Sequence, residues 1–263
     1  MALTLLFLAL DYLFSLVFLL PIQDHRGRYR GFPYMTLGLV LLNTAIHASF
    51  YYLLPRWIGE EAWSALSMNL MLLPTAILEG EGLGALSMIT SAFLHASWAH
   101  LIGNMLFLWF FGRKLEDVLG SLKFGIFYLV CVFVSSTVSV IGNVALPFTQ
   151  GTIPCLGASG AIMGIVAAYL FLYPDERIRT FVMLAVIPIP FTLQMPAWVF
   201  ILYTVTGDIV RGWLEQQAEA LGFIYSLIGS FAHLGGVIAG LTCLYFFLPS
   251  ELLHYRHRAG EKL

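Results

Sequence analysis

Seven apolar stretches, each close to the length of a membrane crossing, divide the chain. A helix needs about 20 apolar residues to cross a hydrocarbon core about 30 Å thick. The stretches fall at 1–20, 34–54, 96–112, 121–142, 158–173, 181–206 and 224–248. Hydrophobic residues make up 59% of the 263-residue chain and charged residues 11%, where soluble domains carry about 25% charged residues. This composition excludes a water-soluble globular domain and leaves an all-α polytopic membrane protein. The net charge of −2 gives no electrostatic footprint for nucleic acid. Cys131, Cys155 and Cys243 are odd in number and far apart, so they form neither a disulfide framework nor a metal motif. No cofactor and no metal ion are expected.

The first stretch lacks a basic leader, carries Asp11 mid-run and ends in Leu-Pro. It is therefore read as a retained helix and not as a signal peptide. Lys and Arg then orient the bundle, because cytoplasmic loops carry the excess of both. Alternate loops hold Arg26, Arg28 and Arg30; Arg113, Lys114 and Lys123; Arg177 and Arg179; and Arg256, Arg258 and Lys262. That is 11 of the 13 basic residues; only Arg56 and Arg211 fall in the opposite loops. The rule assigns 21–33, 113–120, 174–180 and the C-terminus to the cytoplasm. It assigns the N-terminus, 55–95, 143–157 and 207–223 to the outside.

Strongly polar groups inside a membrane are costly, so each is a functional candidate by default. Ser159 stands between glycines in "CLGASGAIMG" (155–164), at the start of the fifth stretch. His95, His100 and Asn104 lie in "FLHASWAHLIGNMLFLWFFG" (93–112), and His233 lies in "FAHLGGVIAG" (231–240). His100 and Asn104 are four residues apart, so one helix face presents both. At 1.5 Å per residue, Ser159 stands about 21 Å and His233 about 24 Å above the cytoplasmic ends of their helices. Asn104 comes out lower, at about 12 Å, if its helix ends at Gly112. Gly160, Gly164 and Ala168 form one small-residue stripe and Gly236 and Gly240 another; such stripes let transmembrane backbones approach closely. These features assemble a nucleophile, Ser159, with a general base, His233. An oxyanion site is drawn from His100, Asn104 and the backbone around Gly157. With no carboxylate in sight to orient His233, a dyad is expected and not a triad.

Taken together, the His-x4-His-x3-Asn pattern (His95, His100, Asn104), Gly-x-Ser-Gly (Gly157 to Gly160) and Ala-His-x2-Gly (Ala232, His233, Gly236) resemble the rhomboid family of intramembrane serine proteases. "FGRKLED" after the second motif is similar to that family too. The resemblance covers 34–248 and implies a six-helix core with one extra N-terminal transmembrane helix, a 1+6 layout. It divides the chain into that helix (1–20), a basic cytoplasmic linker (21–33), the catalytic core (34–248) and a cytoplasmic tail (249–263). It implies a Ser159–His233 dyad in a cavity open to the outside, with His100 and Asn104 at the oxyanion. The loop 55–95 would lie half-submerged, and 207–223 would cap the cavity. Implied partners are membrane lipids and single-span transmembrane proteins, cleaved in or near the span. Where many members carry an aromatic packed on the catalytic histidine, this chain has Met163, whose thioether also contacts rings. His95, Met163, Gly160 and Gly236 count as active-site neighbours.

The alternative is a non-catalytic relative that binds transmembrane clients in the same cavity. Retention of both serine and histidine favours the enzyme. A transporter would need polar residues along a continuous path, whereas these cluster near the outer end. No His-Glu-x-x-His motif supports a metalloprotease. Asp11, Asn43 and His47 are read as polar contacts between helices, Cys155 as a small packing residue, and His254 and His257 as part of a solvated basic tail. With no targeting peptide recognised, a bacterial plasma membrane is the expected location.

Overall fold

A computed structural model of the chain describes residues 17–24, 31–145, 154–184, 191–220 and 229–247. The chain divides into two compact units, Met1–Arg28 with Leu170–Ser230, and Tyr29–Tyr169 with Phe231–Leu263.

The larger unit is helical. Helix α1, Tyr34–Ile58, passes through a π turn at Ser49–Leu53. The loop after it is itself largely helical, with α2 (Glu60–Leu70), α3 (Pro74–Glu79) and a short helical segment, Gly84–Phe93. Helix α4, Trp98–Leu119, follows Gly84–Phe93 at a bend of 83°. Ser97 is the cause of the clean restart: its backbone is extended and its hydroxyl accepts from the His100 amide, capping α4. Helix α5 (Ser121–Ala145), α6 (Ser159–Leu172) and α8 (Ser230–Phe247) complete the unit. Among the described residues, α1 and α5 are long and apolar enough to cross a membrane. The bent pair adds a third if it is counted as one span.

The smaller unit departs from the all-α expectation. Residues expected as parts of the spans 1–20 and 181–206 and of the loops 21–33 and 174–180 form a three-stranded antiparallel sheet. Its strands are β1 (Val17–Asp24), β2 (Arg177–Leu184) and β3 (Phe191–Pro196), in the order β1-β2-β3. The central strand carries a period of two. Ile178, Thr180 and Val182 are buried while Arg177 and Arg179 are exposed. That alternation, in a run rich in β-branched residues, fits a pleated strand and gives a helix no single apolar face. The helix expected over 181–206 therefore begins only at Ala197, where the Ala197 amide donates to the Glu176 carbonyl at 2.7 Å. It continues as α7 to Ala220, so most of the stretch expected to be a cap at 207–223 is helix. Of the helix expected over 1–20, residues 17–20 belong to β1 and the rest lie outside the described residues.

The start of α1 is held from 80 residues away. Pro33 precedes the helix and provides no side-chain cap. The buried carboxylate of Glu116, on α4, fills that role. One oxygen accepts from the Met35 amide and the Ser121 hydroxyl, the other from the Thr36 amide (2.8 Å) and the Thr36 hydroxyl (2.7 Å). A carboxylate at a helix N-terminus satisfies orphan amides and the dipole together. One side chain thus ties α1, α4 and the start of α5. In Glu116→Gln one acceptor becomes an NH2 group and strands buried donors of Thr36 or Met35. The expected loss is about 2–3 kcal/mol of stability, read by thermal unfolding in detergent. Unchanged unfolding would show that the carboxylate is not the clamp.

Candidate active site

Helix α6 begins at Ser159, and the residues before it are fastened to the helical loop after α1. Cys155 and Leu72 exchange both backbone hydrogen bonds, at 2.8 and 3.0 Å. The Gly157 amide donates to the Ser91 carbonyl at 2.9 Å. The Ser139 hydroxyl lies 3.8 Å from the Cys155 sulfur, which fits the packing role expected of that cysteine. Ser136 on α5 donates to the Met88 carbonyl and so anchors the loop in turn. Sequence reasoning missed Leu72 and Ser91 because both act through backbone groups that every residue carries.

Gly157 has φ +118°, a conformation that side-chain-bearing residues rarely adopt. A Cβ there would come within 2.8 Å of the His100 ring and 3.6 Å of Asn104 Nδ2. The imidazole of His100 and the amide of Asn104 therefore lie against the backbone two residues before Ser159. Two motifs more than 50 residues apart in sequence meet at this point. Gly157 contributes room for His100, since its own N–H is committed to Ser91. Asn104 was expected lower in the membrane. Its helix runs seven residues past Gly112, to Leu119, which adds about 10 Å and brings it level with Ser159. Asn104 is buried, and its Nδ2 has no hydrogen-bond partner among the described residues. A buried donor without an acceptor is costly and calls for a reason.

His233 reaches the same neighbourhood on α8. A Cβ on Gly236 would overlap the Gly160 carbonyl oxygen, and one on Gly240 would overlap that of Gly164. A Cβ on Gly160 would in turn stand 3.2 Å from the Ala232 carbonyl oxygen. The two small-residue stripes thus pack backbone against backbone, and the residue after Ser159 faces the residue before His233. Ser159 and His233 are both partly accessible, while Met163, one turn further along α6, is buried. His95 is fully buried, with its ring centroid 5.1 Å from that of His100. Among the described residues no cluster of three or more His, Cys, Asp or Glu could hold a metal ion.

A serine at the start of α6 is thus joined by a histidine on the adjoining helix α8 and by an amide donor facing the preceding turn. The chain belongs to the rhomboid family, since the sequence model of the Rhomboid domain matches residues 84–250. It is 32% identical over 155 residues to the human presenilin-associated rhomboid-like protein, mitochondrial, covering 59% of this chain and 36% of that one. Rhomboid protein 1, mitochondrial, from Saccharomyces cerevisiae is 33% identical over 157 residues, 59% of this chain and 40% of that one. RHOMBOID-like protein 1 from Arabidopsis thaliana is 26% identical over 238 residues, 82% of this chain and 54% of that one. The chain thus spans about a third to a half of the length of these relatives. It is a membrane protein. Relatives named as mitochondrial lend no support to the bacterial plasma membrane expected from sequence.

The helix contact gives a direct check. Gly236→Ala drives a methyl group into backbone that cannot rotate away. It is expected to cost about 1–3 kcal/mol, read as a lower unfolding temperature in detergent. A variant as stable as the wild type would mean that α6 and α8 do not touch there.

Proposed function

We propose that the chain is an intramembrane serine endopeptidase that cuts single-span membrane proteins in or near the transmembrane segment. The observation that carries this reading is the convergence of His100 and Asn104 on Gly157, immediately before Ser159. Packing alone does not require an unpartnered amide donor there.

In this reaction the His233 imidazole takes the proton of the Ser159 hydroxyl as Oγ attacks the scissile carbonyl carbon. The carbonyl π electrons move to oxygen, and the resulting oxyanion accepts from Asn104 Nδ2. It also accepts from the amides at the start of α6, where the helix leaves N–H groups unbonded and the dipole favours negative charge. His100, against the same turn, supports this site. As the tetrahedral intermediate collapses, the C–N bond breaks and His233 passes its proton to the departing amine. Water, deprotonated by His233, then releases the acyl group and restores Ser159.

The family assignment and the glycine contacts between α6 and α8 support this reading, and Met163 replaces the usual ring beside His233 with a thioether.

The test uses the purified protein in detergent with a fluorophosphonate probe and a panel of single-span substrates. Wild type is expected to label and cleave, and Ser159→Ala to do neither. Asn104→Ala is expected to lower kcat on the order of 10²- to 10³-fold with little change in KM, because its partner charge exists only in the transition state. Folded wild type that neither labels nor cleaves, yet binds transmembrane segments, would favour the client-binding alternative.

A further inference from the structure

His47, an ionisable residue just past the middle of α1, takes no part in the reaction described above. It is 2% exposed, and polar groups inside a transmembrane helix need a reason to be there. Its surroundings supply one. The His47 ring stands edge-on to Trp98 at a centroid distance of 4.6 Å and edge-on to His95 at 6.4 Å. It lies tilted against Tyr51 at 4.8 Å. His95, fully buried, stands edge-on to His100 at 5.1 Å, and His100 rests against Gly157. An unbroken line of ring contacts therefore runs from α1 to the turn before Ser159. Trp98 is fixed at its outer edge as well, donating from Nε1 to the Tyr52 hydroxyl at 2.7 Å.

The line matters because of where it passes. Residues 94–97 form the break between Gly84–Phe93 and α4, so His95 is not held by a helix of its own. Interior side chains keep their orientation through close packing, and a void on one side forfeits those contacts. Removing the His47 ring opens such a void beside both His95 and Trp98. His95 can then turn, and His100 loses the surface that sets its plane.

We propose that His47 is a positioning residue. Resting on the serine-protease reading above, it holds His95, and through it His100, in the orientation that the oxyanion site requires. It touches neither substrate nor the reacting atoms. The edge-on contacts with Trp98 and His95 distinguish this role from plain filling of space, because another ring can replace them and a flexible chain cannot.

The test compares His47→Ala, His47→Gln and His47→Phe in the full chain. It reads kcat and KM on one transmembrane substrate, the rate of fluorophosphonate labelling at Ser159, and the unfolding temperature. A misplacement remote from the chemistry costs on the order of 10- to 100-fold, so His47→Ala is expected to lose that much in kcat and labelling rate with KM within about twofold. His47→Phe is expected to recover most of the loss and His47→Gln little, even if both unfold at the wild-type temperature. Full activity in His47→Ala would overturn the proposal. Equal rescue by Phe and Gln would also overturn it, reducing His47 to a packing residue. Absence of Ser159 labelling in the wild type would instead sink the protease reading, and this inference with it.

Discussion

The structure depends on two backbones meeting without side chains between them. Along α6 and α8, Gly160 faces Gly236 and Gly164 faces Gly240, each pair close enough that a single methyl group would overlap a carbonyl oxygen. In a membrane there is little hydrophobic drive to press helices together, so close van der Waals contact has to supply the association. The same contact fixes where the start of α6 and the histidine of α8 stand. Ser159 and His233 each sit next to a residue in the contact, so their separation is set by rigid backbone and not by flexible side chains. Helix α5 backs the pair, with Ser135 against Gly160 and Cys131 against Gly164. Each position reads as ordinary packing; only together do they hold a serine helix and a histidine helix in register.

A second constraint acts on the turn before Ser159. Its backbone is bonded to Leu72 and to Ser91, two points in the loop between α1 and α4. That loop is therefore a support for the site as well as a connection. It holds Gly157 in a left-handed conformation and presents its open face to His100 and Asn104. Glu116 works at the other end of the same helices, tying the start of α1 to α4 and α5. The site is thus framed at both ends of α4, by a carboxylate at one and by the ring line from His47 at the other.

Much of the candidate site was legible in the sequence because polar residues in an apolar chain announce themselves. Spacing grouped His100 with Asn104 as candidates, and depth grouped Ser159 with His233. Asn104 came out too low because no residue signal ends α4 at Gly112; the helix runs on through a charged segment, Arg113–Leu119, anchored by Glu116. The strands at 177–184 and 191–196 were missed because 174–180 was read as a loop from its basic residues and 181–206 as a span from its length and hydropathy, without periodicity. The alternation of Ile178, Thr180 and Val182 with Arg177 and Arg179 was the available signal. The bonds of Leu72 and Ser91 had no signal, since a carbonyl is common to all residues. His47 was visible as an intramembrane histidine, but its partners Trp98 and His95 arrive from a different part of the chain and no local pattern predicts that meeting.

The most direct measurement of the central claim is an experimental structure of the protein in lipid with a fluorophosphonate bound. The account predicts a phosphonyl group on Ser159 Oγ, its oxygen within hydrogen-bonding distance of Asn104 Nδ2 and of an amide at the start of α6, with the His233 ring beside Oγ. A structure in which that oxygen faces away from Asn104, or in which α8 turns His233 out toward lipid, would contradict it.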